Sequence, residues 1–139
     1  MTFAFFADAG LTVPLNSSNP VAFAQLAAGA PVDRIVYFGS ADVGKKLQRA
    51  TDPGVDALEV SVIDTDAGGG LPVTALTLAL SSAGLDTATP GDPVSIGATI
   101  NSGAANSVPV FVRADADSAT PATFTDLLLR VAGALETDA

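Results

Sequence analysis

The chain has 139 residues, 48% of them hydrophobic, and its 15 acidic and 6 basic side chains give a formal net charge of −9. That length suits one domain, residues 1–139, with a sizeable core, and the apolar content is too high for a disordered segment. An acidic surface repels phosphate backbones, so no nucleic-acid partner is expected. Cys and His are both absent, which removes disulfides, thiolate metal sites, the commonest general base and the commonest zinc ligand.

Along the chain, residues 3–7 and 11–13 read as short strands. The start is apolar but lacks a basic region and meets Asp8 early, so it does not read as a secretion signal. Residues 16–20, Asn-Ser-Ser-Asn-Pro, form a turn signal that also contains a glycosylation triplet, meaningful only in a secreted eukaryotic setting. Residues 20–28 fit either a helix capped by Asn19, Pro20 and Gly29 or a strand. We read a strand, because it would complete a sheet edge otherwise left open.

Residues 33–38 are rich in β-formers, with Ile35, Val36, Tyr37 and Phe38 in succession. The basic cluster Lys45, Lys46 and Arg49 reads as a solvated loop or edge. Four alternating segments then follow at 57–64, 73–81, 94–100 and 108–113. In the first, Leu58, Val60 and Val62 oppose Glu59 and Ser61. A period of two with one apolar face is the pattern of a half-buried antiparallel strand. Pro109 inside the last segment lacks an N–H and points to an edge or a bulge there.

Glycine- and proline-rich turns separate these runs at 52–54, 68–70, 90–93 and 101–103. Residues 125–135 carry both periods: Thr125, Leu127, Leu129 and Val131 alternate, while Leu127, Leu128, Val131 and Leu135 make a helical stripe. The strand reading is again taken. Many short strands with such turns predict an all-β antiparallel sandwich of immunoglobulin-like or jelly-roll type.

One segment imitates a phosphate-binding loop. Residues 39–46, Gly-Ser-Ala-Asp-Val-Gly-Lys-Lys, follow a strand and nearly spell G-x-x-x-x-G-K-[ST]. The last position must offer a hydroxyl to magnesium, and it is Lys46. The loop must also open a helix, yet Asp52-Pro53-Gly54 would end one after two turns. Asp64 and Asp66, and Asp115 and Asp117, form Asp-x-Asp pairs able to offer hard oxygens to calcium. No distal Glu follows them in order, and solvated turn aspartates are the simpler reading. No catalytic residue, cofactor or resident metal is therefore expected, and the chain is read as a non-enzyme.

A resemblance narrows the function. Val36-Tyr37-Phe38-Gly39-Ser40, Gly44-Lys45-Lys46-Leu47-Gln48, Asp52-Pro53-Gly54-Val55-Asp56, Ala83-Gly84-Leu85-Asp86, Ile100-Asn101-Ser102-Gly103 and Val108-Pro109-Val110 together resemble virion structural proteins of tailed bacteriophages and prophages. The resemblance implies a β-rich particle component of the tail or baseplate, or a capsid decoration protein, located in the virion. Its partners would be other virion proteins in a multi-copy symmetric assembly, with a host surface as a further contact. It carries no catalytic residue. Assembly would use strand edges and apolar patches, with Phe3, Phe5 and Phe6 in residues 1–10 as the candidates for a docking strand or arm; the simpler reading is that these phenylalanines finish their own core. The alternative from another class is a host-receptor or carbohydrate-binding module with loops as its binding surface. No run approaches the roughly 20 apolar residues of a membrane span, so no insertion is expected.

Overall fold

The computed structural model describes residues 1–24, 29–115 and 125–139. Among them lie ten strands: β1 Ala4–Phe6, β2 Val32–Gly39, β3 Lys45–Arg49, β4 Leu58–Asp64, β5 Leu76–Ala79, β6 Val94–Gly97, β7 Thr99–Asn101, β8 Val108–Ala114, β9 Leu127–Val131 and β10 Ala134–Asp138. All pairings are antiparallel, in sheets ordered β1-β2-β8-β5, β10-β3-β7 and β6-β4-β9. The fold is thus all-β and of sandwich type, and the alternating segments are the reason.

The two three-stranded sheets are halves of one ribbon. Gln48 of β3 pairs with Thr99 of β7, and Leu58 of β4 pairs with Gly97 of β6, so only Ala98 separates the two ladders on that flank. On the other flank, Arg49 pairs with Ala134 and Val60 with Val131. The centre alone leaves the ribbon, as an excursion at residues 50–57. The run 94–100, expected as one strand, therefore bends from one half to the other at Gly97, whose φ of 104° disfavours side chains. A register shift between Leu58 and Glu59 accompanies that bend, as bulges do at sheet corners.

The core fills the space between this ribbon and the four-stranded sheet. Val36 and Phe38 of β2, Val110 and Val112 of β8 and Leu78 of β5 meet Leu47, Leu58, Val60, Val62, Ile96 and Ile100 from the ribbon. Along the chain β2, β5 and β8 lie in the four-stranded sheet, and each is followed by two strands of the ribbon, β3 and β4, β6 and β7, and β9 and β10, so the chain alternates between the layers. Pro109 lies in β8, between β2 and β5, but β5 reaches only as far as Phe111. The outer edge of β8 is therefore locally open at the proline.

Several expectations need correction. Residues 11–13 are a turn: Leu11 has φ 56° and is buried, and the Asp8 carboxylate accepts bonds from the Thr12 and Val13 N–H groups at 3.0 and 2.8 Å. Leu11 is buried because the turn, and not a strand, points it inward. The basic cluster lies on strand β3, paired on both sides, so it is not a loop or an edge. Its Leu47 is fully buried, and one apolar residue among five gave no alternation to read. The strand expected over 73–81 begins as a short 3₁₀ helix, Val73–Ala75, and stops before Leu80, which is 47% exposed. Residues 20–24 join no strand, and 25–28 lie outside the described residues. At 125–135 the strand reading holds through Val131.

Candidate interaction surface

Phe3 points into the core at 3% exposure, its ring centroid 6.2 Å from that of Phe38. Phe5 packs 4.9 Å from the same ring, tilted by 56°. Phe6 is half-buried opposite Tyr37 and bridges to Pro14. Phe3 and Phe5 therefore serve this chain's own core, and the outer edge of β1 is covered at Phe5 by the Leu15 N–H donating to its carbonyl at 2.9 Å.

A carboxylate holds this segment in place. Glu136 Oε1 on β10 accepts from the Thr2 N–H at 2.7 Å, the Thr2 hydroxyl at 2.8 Å and the Phe3 N–H at 3.3 Å. Burial pushes the Glu136 carboxyl up, but these three donors outweigh it and hold it below the usual glutamate value. The Thr2 hydroxyl also lies 2.7 Å from Ser40 Oγ. With its proton on Glu136, Thr2 accepts from Ser40. Ser40 is fully buried, and sequence reasoning missed both it and Glu136, because their partner lies at the other end of the chain.

The phosphate-loop look-alike runs from β2 through a turn at Gly44, with φ 68°, directly into strand β3. Its backbone N–H groups are engaged elsewhere: Lys45 donates to Ser102 Oγ at 3.0 Å, and the N–H of Asp42 donates to Ser40 Oγ at 3.2 Å. The helix that would aim such groups at phosphate is replaced by a strand.

The carboxylate candidates separate. Asp64 ends β4, and its Oδ1 accepts the Asp66 N–H at 2.9 Å, closing a turn into the glycines 68–70. Asp115 stands past the end of β8, with its N–H donating to the Ala75 carbonyl at 2.8 Å; Asp117 lies outside the described residues. The carboxylate that joins the glycine loop is Asp126, which sequence gave no reason to choose. Its Oδ2 accepts from the Leu71 N–H at 3.1 Å, and its backbone carbonyl accepts from Thr65 N–H and hydroxyl at 2.7 and 2.9 Å. Among the described residues, no group of three or more acidic side chains is placed to hold a metal ion.

Strand edges are the remaining surface at which a second chain could pair. Among the described residues β9 and β10 each have a strand partner on one side only, and together they form one flank of the ribbon. Leu128 is 41% exposed and Leu135 51% exposed on that flank. Ion pairs also lie at the surface, one of them on β10 itself. Arg113 binds both oxygens of Asp33 at 2.8 and 3.1 Å and also reaches Asp86 at 2.9 Å. Lys45 meets Asp138 at 2.6 Å. No protein-family model, curated protein sequence or solved structure matches the chain. Among the described residues no helix is long and apolar enough to cross a membrane.

Proposed function

We propose that the protein is a structural component of a tailed-phage particle, present in many copies and assembled through the flank formed by β9 and β10. The observation that carries this reading is the run Leu127-Leu128-Leu129 on an edge strand whose outer side has no strand partner among the described residues. Isolated proteins usually blunt such an edge with charge, proline or a covering segment, because its free N–H and C=O groups invite another chain. Here β9 opens on three leucines, of which Leu127 and Leu129 pack on the core and Leu128 faces solvent beside Arg130. Three of the segments that resemble virion proteins, 36–40, 44–48 and 100–103, meet at one end of the sandwich, which is in keeping with the same reading. Gly103 N–H donates to the Ser40 carbonyl at 2.7 Å, and Ser102 N–H donates to the Lys45 carbonyl at 2.8 Å.

Assembly then proceeds by strand addition: main-chain bonds to a neighbour supply affinity, and the exposed leucines supply selectivity. The negative charge keeps unassembled copies apart and soluble. A tail or baseplate position is the reading taken.

Leu128→Lys tests it. The substitution is on the exposed side of an edge, so fold stability measured by denaturant should change by less than about 0.5 kcal/mol. Incorporation into particles, read by mass spectrometry of purified virions, should fall at least tenfold. Absence of the wild-type chain from intact particles overturns the proposal, as does normal incorporation of the variant.

A further inference from the structure

We propose that Glu136 is an acid-released latch on the N-terminal strand, able to free residues 1–6 while both layers of the sandwich stay folded. Three donors from two adjacent residues converge on one carboxylate oxygen. Bonds to an ionised acceptor are roughly twice as strong as neutral ones. All three need Oε1 as an acceptor, so a proton on the carboxyl weakens the whole set together. The Ser40–Thr2–Glu136 chain extends the latch to a fully buried hydroxyl on the other layer.

What the latch holds is marginal by itself. β1 has three residues, and among the described residues its one ladder is with Tyr37, Phe38 and Gly39 at the end of β2, joined by a single bridge from Phe6 to Pro14. Beyond the latch it is kept by the burial of Phe3, the contact of Phe5 with Phe38 and the Leu15 bond. What the latch is fixed to is firmer: β10 pairs with β3 over five positions, Ala134 to Asp138. The two sides of the contact therefore open at different free energies, as local units of a fold generally do. Opening would bare the β2 edge and an apolar slot beside Phe38.

The charged groups around Glu136 fix the sign. From the held segment comes the Met1 amino group, which favours the ionised carboxyl. From β3, Lys45 and Arg49 lie two positions either side of its register partner Leu47. Lys45 is paired to Asp138, which lies on β10 itself, and it also feels Asp42 from the preceding turn; Arg49 donates to the Ala57 carbonyl at 3.2 Å. Among the described residues no neighbouring carboxyl competes for the proton by sharing the Thr2 and Phe3 donors. A folded-state value below the ordinary 4.5 means the latch is fully closed above that value and opens as pH falls through the lower one.

The test is amide and ring NMR of the full chain on titration from neutral pH downward. Thr2 and Phe3 amides and the Phe3 and Phe5 rings should shift together in a step below pH 4.5, while Val36 and Val110 amides keep their native positions. In Glu136→Gln the acid step should vanish, and amide exchange of residues 3–6 at neutral pH should rise about tenfold with core amides unchanged. Thr2→Ala leaves β10 untouched, removes the hydroxyl alone of the three donors and should give a smaller local rise in the same residues. A persistent acid step in Glu136→Gln overturns the latch. So does an acid step that coincides with loss of the Val36 and Val110 signals, or wild-type exchange in both variants.

Discussion

β4 and β9 are neighbours in one ladder, yet they carry different energetic weight. Val60 pairs with Val131, and Val62 with Leu129. Val60 and Val62 are 0% and 7% exposed, whereas their partners are only half-buried. Both strands alternate, and both turn one side towards the four-stranded sheet. The difference is place in the layer: β4 runs along the middle of the ribbon and β9 along its rim. Alternation tells which way a side chain faces, while strand order decides how far water is kept from it, and free energy follows the second.

The largest effect should come from truncating a central residue. Leu58→Ala, at a side chain with no exposure, should destabilise the fold by about 3 kcal/mol, and Leu129→Ala on the rim by about 1 kcal/mol. Urea unfolding of the two variants measures this. Equal losses would erase the distinction between centre and rim.

The same contrast can be sharpened within one loop. Gly68 and Gly70 both have positive φ, 89° and 57°. A side-chain carbon on Gly68 meets nothing within 4 Å, while one on Gly70 would sit 2.5 Å from the Asp126 carboxyl carbon. Alanine at either site costs about 1 kcal/mol of backbone strain. Gly70→Ala should add about 1 kcal/mol more by forcing Asp126 off the Leu71 N–H. Matching unfolding midpoints would show that Asp126 does not anchor the loop against β9.

The smallest effects belong to the surface pairs. Hydrogen bonds from Arg113 hold the Asp33 carboxyl below its usual value, and Lys45 does the same for Asp138. Depressed carboxyls give stability that is present above the usual range and lost as pH falls through the folded value. Arg113→Met should therefore lower the melting temperature slightly at neutral pH and flatten its fall below about pH 4. Carbon-13 NMR should show the Asp33 carboxyl titrating nearer its ordinary value. An unchanged Asp33 titration would remove Arg113 as its partner.

The fold class was legible because 57–64 and 108–113 alternate over enough residues to exclude a helical face. Strand β3 was hidden, since Lys45-Lys46-Leu47-Gln48-Arg49 buries a single side chain between two polar neighbours. Leu11 misled in the opposite sense: with Val13 two positions on it suggested a strand, but the Asp8 carboxylate, bonded to the Thr12 and Val13 N–H groups, closes a turn around it. The groups that tie distant segments, Glu136 to Thr2 and Asp126 to the glycine loop, depend on three-dimensional meetings across more than fifty residues. No local pattern encodes such meetings, and acidic residues in an acidic chain attract no notice.

The excursion at residues 50–57 interrupts only the middle line of the ribbon. On either side of it, β7 and β10 fix β3, while β6 and β9 fix β4. Its tip presents Val55 at 69% exposure, held by the Val55 N–H on the Asp52 carbonyl at 3.1 Å and the Thr51 hydroxyl on Asp56 at 3.0 Å. Both ladders are thus set by strands that bypass the loop, so its length is decoupled from their alignment. Doubling it should cost only about 0.6 kcal/mol in closure entropy. The molecule thereby carries a built-in graft point, where a peptide tag or an added epitope can be displayed without rewriting a single strand pairing.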